Sequence, residues 1–476
     1  MKKEFAINAA LLLGSNMLIK VYYLLGIDRN FQLLMGTQEY GLYYGLFNFT
    51  LLFQFINDFG LQNLASRYVS QNGEKSLEAF RSYGAVKWML SAVYLLVVAV
   101  ACWLGGYPGE WRGLILHLAA NQVLVSVIYF TRAGIAGLGH YRQDSFFSVF
   151  DRFLLIGMGT AVLWLPSLRG WVSASGFAWM QTLSLGVTWL SAAVYLRGKG
   201  VAIWPDTRML LAVRKTLLPA IPFAAIYLLG SVYNKVDSVL LQRCLPDGTH
   251  HAGVYAASQR LFEAFGMFSL ALAGLLLAMF SRLHSEREKL SGLFKLSVKW
   301  LLVGTIIVCT TGFCYAPEIV RLLYHTSDPY WYEPFSWIML AFLPASLNYI
   351  LGAFYQSVHQ EWRLAGFYLW AAVCCLVLNG LFIPQGAAVA AARVAVVVHG
   401  SLFLIQAIDI RLRRLVDITR DFVLFSVLFA GMSWLIALGV MQLDVDWKLR
   451  ALLSGGLIVL LAFAFRMVSL VEMRRS

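Results

Sequence analysis

Lys20 and Lys235 each stand inside an apolar stretch of helix length. The text ahead of them matches: Leu13-Gly14-Ser15 before the first and Leu229-Gly230-Ser231 before the second. An ammonium inside hydrocarbon costs about 2.5–3.5 kcal/mol on insertion scales. A cost borne twice, at corresponding places, points to a site that handles an anion. Asn16 lies one helical turn before Lys20, and Ser231 one turn before Lys235, so each lysine shares a helix face with a polar neighbour. Arg393 sits near the middle of another apolar run, too deep to reach water comfortably along its own stem. Lys20 is closer to the expected outer end of its run, so its charge can either snorkel to the interface or line a cavity. Arginine, with its planar fork, and lysine, as a point charge, are the side chains that take phosphate. Lys20, Lys235, Arg393 and Asn16 are therefore the expected binding set for an anionic headgroup.

A second group suits gating or ion coupling. Arg260 and Glu263 are three apart, share a helix face and are flanked by Gln259. They can be an internal ion pair that lowers the insertion cost, or a gate or proton site. Asp237 is two residues from Lys235, about 200° around a helix, so the two do not pair within it. His117 and His399 read as hydrogen-bonded packing residues, and His250-His251 as solvated loop residues. Asp58 pairs with Arg67 or caps a helix. Asp444-Val445-Asp446 looks like the Asp-x-Asp of metal-dependent glycosyl transfer, but a very short turn is its simpler reading. The six cysteines, Cys102, Cys244, Cys309, Cys314, Cys374 and Cys375, show no metal-ligand spacing. No Gly-x-x-x-x-Gly-Lys-Ser/Thr loop is present for ATP, and no loop is long enough to be a catalytic domain. Neither a metal nor a resident cofactor is expected. A coupling ion, proton or sodium, is left open.

These side chains need helices that cross a bilayer to position them. The 476-residue chain is 59% hydrophobic and 13% charged, with a mean hydropathy of +0.68, whereas a soluble domain carries about 25% charge. About fourteen runs are long enough for roughly 30 Å of hydrocarbon. They are 5–27, 41–64, 85–106, 113–135, 146–165, 172–196, 217–241, 253–280, 297–316, 333–356, 365–383, 386–408, 421–442 and 449–470. Pro384-Gln385-Gly386 makes a tight turn between two of them. Met1-Lys2-Lys3 and the run after it imitate a signal peptide. Asn8, Asn16 and Lys20 interrupt that run and no small-x-small site follows, so it is expected as the first span.

The net charge of +13 is not a nucleic-acid footprint, because the basic residues fall in short clusters between apolar runs, as the positive-inside rule requires. Arg67, Lys75, Arg81 and Lys87, then Arg197, Lys199, Arg208, Arg214 and Lys215, then Arg411, Arg413, Arg414 and Arg420 fall on one side. Arg29, Arg112, Arg169, Arg243, Arg321, Lys448 and Arg450 fall on the other. Both termini are then cytoplasmic. Trp103, Tyr107, Trp111, Trp164, Trp171, Tyr330, Trp331 and Tyr332 gather near the external ends, as an aromatic belt does.

The chain also looks duplicated. Gly41-Leu42-Tyr43 opens the second run and Gly253-Val254-Tyr255 the eighth. Tyr141-Arg142 follows the fourth and Trp362-Arg363 the tenth. Together with the paired lysines, this common order indicates a repeat of six spans. Six is even, so both copies have the same topology, a parallel repeat about an axis along the membrane normal. The expected division is an N-terminal six-helix lobe at 1–197, a cytoplasmic linker at 198–216, a C-terminal six-helix lobe at 217–409, and an additional two-helix segment with a cytoplasmic tail at 410–476. Gly14-Ser15, Gly230-Ser231, Pro219 and Pro222 mark either kinks or close helix packing.

Several stretches carry a family resemblance. They are Leu34-Met35-Gly36-Thr37-Gln38-Glu39-Tyr40-Gly41-Leu42-Tyr43, Asp58-Phe59-Gly60-Leu61 with Arg67, Leu218-Pro219, Asp237, and Gly253-Val254-Tyr255. Ala316-Pro317-Glu318, Leu322-Leu323-Tyr324, Leu378-Asn379 and Ile383-Pro384-Gln385-Gly386 continue it. This text resembles the polysaccharide-exporter branch of the multidrug/oligosaccharidyl-lipid/polysaccharide exporter superfamily, its O-antigen and lipid-linked oligosaccharide flippases above all. The resemblance covers most of the first twelve spans, and its motifs are mostly structural. They mark the superfamily more than the substrate.

The resemblance implies an all-α integral membrane fold, with two six-helix lobes in a V around a central cavity that works by alternating access. It implies a transporter, not an enzyme, that flips a polyprenyl-pyrophosphate-linked oligosaccharide across the bacterial inner membrane for cell-surface polysaccharide synthesis. The cations would then hold the pyrophosphate, aromatic rings would stack on sugars, and the polyprenyl tail would stay in lipid. The implied partners are the lipid-linked oligosaccharide, membrane lipids and polysaccharide assembly proteins, with no nucleic acid. An ion-coupled multidrug exporter of the same superfamily is the alternative, but acids should dominate such a site. Here Lys20, Lys235, Arg260, Arg393 and Arg466 outnumber Asp58, Asp237 and Glu263 within the expected spans. A membrane glycan polymerase or ligase is a third reading, and the long external loop usual in such enzymes is missing.

Overall fold

The computed structural model describes residue 14, residues 17–61, 77–200 and 217–465, and residue 467. Among the described residues there is no strand. A π-helical turn, Tyr23–Asp28, leads into α1 (Arg29–Leu52), followed by α2 (Gln54–Asp58), α3 (Leu77–Leu104), α4 (Gly109–Gly137), α5 (Tyr141–Trp164) and α6 (Ala174–Gly198). The chain continues with α7 (Ile221–Cys244), α8 (Gly248–Arg282), α9 (Arg287–Cys314) and α10 (Ala316–Tyr324). It ends with α11 (Pro329–Ser357), α12 (Glu361–Leu412), α13 (Arg420–Val440) and α14 (Trp447–Ala464). Among the described residues, nine helices are long and apolar enough to cross a bilayer. The protein is an all-α, multi-pass membrane protein.

Helix ends follow local chemistry. Ser173 accepts from the Gly176 amide at 3.0 Å to start α6, Asp328 from the Tyr330 amide at 2.9 Å to start α11, and Thr419 from the Phe422 amide at 3.3 Å to start α13. Each side chain supplies an acceptor to an orphan donor of a first turn. Leu218-Pro219 forms the short 3-10 turn that opens α7.

Three boundaries differ from expectation or refine it. The first run is expected to end at residue 27. The helix instead continues to a break at Gly36 (φ 76°, ψ 174°). Asp28 is buried and accepts the Tyr40 hydroxyl at 2.7 Å, and the Asn30 amide folds back onto the Gly26 carbonyl. With its polar groups paired, the segment remains helical until glycine, which carries no Cβ penalty at positive φ, lets it turn. Of the two readings of Gly230-Ser231, kink or close packing, the kink does not form. α7 passes through uninterrupted, and the Asn234 amide donates to the Gly230 carbonyl at 2.8 Å. The turn expected at Pro384-Gln385-Gly386 is present as a break at Ala387 (φ 46°, ψ −128°), which divides α12 into two arms.

By packing, the chain divides into two compact units. The first comprises Met1–Arg243 and Asp247–Gly253, the second Cys244–Pro246 and Val254–Ser476. In the first unit, Phe80 stacks on Phe130 at 4.6 Å and Phe31 on Phe177 at 4.9 Å. The opening turn of α8 lies against α1 without room for side chains. A Cβ on Gly41 would overlap the Thr249 carbonyl oxygen, and one on Gly253 the Thr37 carbonyl oxygen. His250, expected as a solvated loop residue, packs here in a helix, with Nδ1 2.7 Å from Thr37 Oγ1. In the second unit, Phe294 and Phe280 pack on Phe354 at 5.1 and 5.8 Å. The α13–α14 hairpin packs on α9 through Phe313 and Trp434, 5.3 Å apart, and through buried Cys314, Tyr315 and Ala437. Leu96, Trp103, Trp164 and Val194 in one unit, and Leu404, Leu412, Leu435 and Leu452 in the other, are exposed. Apolar outer faces of that extent belong to a lipid-contacting surface.

Candidate functional site

Lys20 is half-buried on the helical turn just before Tyr23–Asp28. Its electrostatic neighbours are Arg152, Arg132 and Asp151. Arg152, on α5, lays its guanidinium over the Tyr23 ring, 4.7 Å from the centroid, and its Nε is 3.4 Å from Asp151 Oδ2. Arg132, near the end of α4, donates to Asp144 Oδ1 at 2.8 Å and lies 5.9 Å from the Tyr129 centroid. Three cations thus face two carboxylates. Asp144 is committed to Arg132, so the surplus positive charge sits at Lys20 and Arg152. Ring faces attract guanidinium groups electrostatically and hold them in place. Arg132 and Arg152 were not singled out from the sequence, because their partners come from other helices.

The other expected site residues come from several helices. Asn16 lies outside the described residues. Lys235, on α7, is half-buried, and its carbonyl accepts the Ser238 hydroxyl at 2.8 Å. Asp237 is buried, with Oδ1 accepting the Ser238 amide at 2.7 Å. Arg260 is buried on α8, and its Nη1 is 2.9 Å from Glu263 Oε2. Beside them, the Gln259 amide donates to the Tyr255 hydroxyl at 2.7 Å. Arg393, on the second arm of α12, is exposed and stands 5.2 Å from the centroid of the Trp337 ring. The structure therefore brings Arg260 to Glu263, and Lys20 to residues the sequence did not nominate. His117 Nε2 lies 2.7 Å from Thr182 Oγ1, a packing contact. Asp446 caps α14 by accepting the Lys448 amide at 2.8 Å, as the turn reading requires. Among the described residues, no cluster of His, Cys, Asp or Glu can hold a metal.

Lys87 is a buried cation that the sequence did not single out. Grouped from the sequence with the cytoplasmic cations, it is 1% exposed, on α3. Its ammonium donates to the Asn57 backbone carbonyl at 2.5 Å, to Asn57 Oδ1 at 3.2 Å and to the Ser126 hydroxyl. The Asn57 amide donates to the Gln122 carbonyl at 3.1 Å, and the Ser91 hydroxyl to Asn57 Oδ1 at 2.8 Å. The network has enough polar partners to compensate one buried cation.

A bundle of apolar helices carrying buried and half-buried cations is the build of a polytopic transporter. The family described as "Polysaccharide biosynthesis protein" matches residues 8–284. The chain belongs to that family. No curated protein sequence matches it. Among solved structures it is similar to the lipid II flippase MurJ in an inward closed conformation. The TM-score is 0.70 at 11% identity, with 97% of this chain and 99% of that one covered. It is also similar to a multidrug-resistance MATE-family transporter of the MOP superfamily. The inward-facing form gives a TM-score of 0.61 at 14% identity, covering 86% of this chain and 100% of that one. The outward-facing form gives 0.58 at 14% identity, covering 86% and 96%. At these identities the likeness is one of fold.

Proposed function

We propose that the protein flips a polyprenyl-pyrophosphate-linked oligosaccharide across the bacterial inner membrane by alternating access, for cell-surface polysaccharide synthesis. The observation that carries this reading is the surplus of cations around Lys20 and Arg152 inside the helices of a polysaccharide-family membrane protein. A pyrophosphate is matched by the fork of Arg152 and the point charge of Lys20. Lys235, Arg393 and Asn16 complete the proposed headgroup set. Asp237, Arg260 and Glu263 serve gating or coupling to a proton or sodium ion. Membrane lipids and polysaccharide assembly proteins are the proposed partners, and both termini are cytoplasmic.

The same reading divides the chain into six-helix lobes at 1–197 and 217–409, joined by 198–216 and followed by the helix pair and tail of 410–476. A pair of matching contacts supports the duplication. The Asn121 amide reaches the Ala178 carbonyl at 3.0 Å, and the Asn348 amide the His399 carbonyl at 3.1 Å. Each joins the expected fourth span of a repeat to its sixth.

An ion-coupled multidrug exporter is the competing reading, favoured by the likeness to the MATE fold. Full-length protein in liposomes, offered a fluorescent polyprenyl-pyrophosphate oligosaccharide on one leaflet, separates the two. Time-dependent appearance of the label on the opposite leaflet is the expected result. Extrusion of an organic cation with no movement of the glycolipid overturns the proposal.

A further inference from the structure

The second unit carries a basic pocket at one end of its membrane helices. Its volume is about 730 Å³. Arg287 and Lys295 line it from the first turns of α9, Arg411 from the last turn of α12, and Arg414 from the connection to α13. Glu288 and Asp417 are its acids. Four cations against two carboxylates leave the pocket positive. Its floor is built: Ser291 is buried, and its hydroxyl oxygen accepts the Asp417 amide at 3.1 Å. Its rim is held as well. Arg414 adopts a left-handed conformation (φ 52°), which costs a non-glycine residue about 1–2 kcal/mol. The Arg287 guanidinium donates to the Arg414 carbonyl, pinning that turn to the start of α9.

The surroundings say what kind of anion fits. Going toward the pocket, the outer face of α12 presents exposed Leu404, Ile408 and Leu412. An apolar track thus runs along α12 to a cationic pocket at its end. A free anion has no use for such a track, whereas an amphiphile fills both parts. Basic pockets between membrane helices on the cytoplasmic side take acidic lipid headgroups, and the Lys/Arg density at this end of the unit marks the cytoplasmic side. We propose that this pocket seats the phosphate-diester headgroup of an anionic membrane phospholipid, with its acyl chains along α12. The inference does not rest on the transported substrate assigned above.

The test uses the full chain in nanodiscs of phosphatidylcholine alone, or of phosphatidylcholine with cardiolipin. Thermal stability and the lipid retained in native mass spectrometry are read together. Lys295→Ala with Arg411→Ala removes two cations but keeps the Arg287–Arg414 hydrogen bond. Arg197→Ala, an exposed cation at the end of α6, is the control for general surface attraction. Cardiolipin should stabilise the parent and the control. The double variant should retain that lipid roughly thirtyfold more weakly, the loss for two basic residues near an anionic surface. Lys295→Arg with Arg411→Lys should restore retention, which also guards against a folding failure of the alanine variant. Equal retention by parent and alanine variant overturns the proposal. So does full stabilisation of detergent-solubilised protein by inorganic phosphate, which would make the ligand a soluble anion.

Discussion

Lys87 Nζ lies 2.5 Å from the backbone carbonyl oxygen of Asn57, at the end of α2. That helix stops where Phe59 turns left-handed, at φ 47°, and its last carbonyls have no donors of their own helix. The buried ammonium supplies one and places positive charge at the negative end of the helix. One side chain thereby ties α3 to α2 and, through Ser126, to α4.

Lys87→Met keeps most of the length of the side chain but leaves the Asn57 carbonyl and Ser126 short of a donor, while Asn57 Oδ1 keeps the Ser91 hydroxyl. Each buried polar group left unsatisfied costs about 1–3 kcal/mol. The variant should unfold at a clearly lower temperature in detergent, followed by tryptophan fluorescence. An unchanged Tm would show that the network does not stabilise the first unit.

Gly41→Ala and Gly253→Ala each push a methyl group into a backbone carbonyl, of Thr249 and Thr37 respectively. The opening turn of α8 should lift from α1, and the Thr37–His250 contact should be lost with it. Hydrogen exchange of residues 247–253 should rise in both variants. Gly157→Ala, where a Cβ meets open space on α5, should be neutral or slightly stabilising, since alanine is the better helix former. Protection of 247–253 equal to the parent in the first two variants would refute the close approach.

The sequence displayed the apolar runs, the turn that became the Ala387 break, and the Arg260–Glu263 pair. Each depends on neighbours within a few residues. It concealed what depends on distant ones. Asp28 lies just past the expected end of the first run, and its burial depends on Tyr40 folding back onto it. Lys87 belongs by position to a basic cluster, and nothing in its own helix reveals that α2 ends beside it, short of donors. Arg152 carries no sign of its role in its own helix, because its neighbours Tyr23 and Lys20 come from another helix. Positive φ at Gly36 has no proline to announce it. Local pattern thus gave the elements, while cross-helix pairing decided which charges meet.

Arg260 and Glu263 offer a test that separates structure from gating. Glu263→Gln leaves a buried guanidinium with a neutral partner. Breaking a buried pair costs about 3–5 kcal/mol, less here because Glu263 is 23% exposed. Exchanging the two residues, Arg260→Glu with Glu263→Arg, should recover most of the lost thermal stability. A pair that is only structural recovers glycolipid translocation at the same time. Recovery of stability without translocation would assign the pair to gating or coupling.

The Lys20–Arg152 pair carries the functional reading, so its variants decide most. Removing one charge-assisted contact to an anion costs about 1.5–3 kcal/mol, or roughly ten- to hundredfold in rate if the contact is made on the path to translocation. Arg152→Ala should slow glycolipid translocation to that degree while the protein remains folded and abundant. Arg152→Lys keeps the charge but not the fork and should fall between parent and alanine variant. Lys20→Arg should retain more activity than Lys20→Ala. Arg132→Ala should act differently, because Arg132 is committed to Asp144 at 2.8 Å. Its main effect should be a lower Tm, with translocation per folded molecule largely kept. The measurement is the initial rate of glycolipid movement in liposomes, normalised to folded protein. Parental rates in both Arg152→Ala and Lys20→Ala would remove the headgroup role from this cluster and leave the family and the fold as they stand.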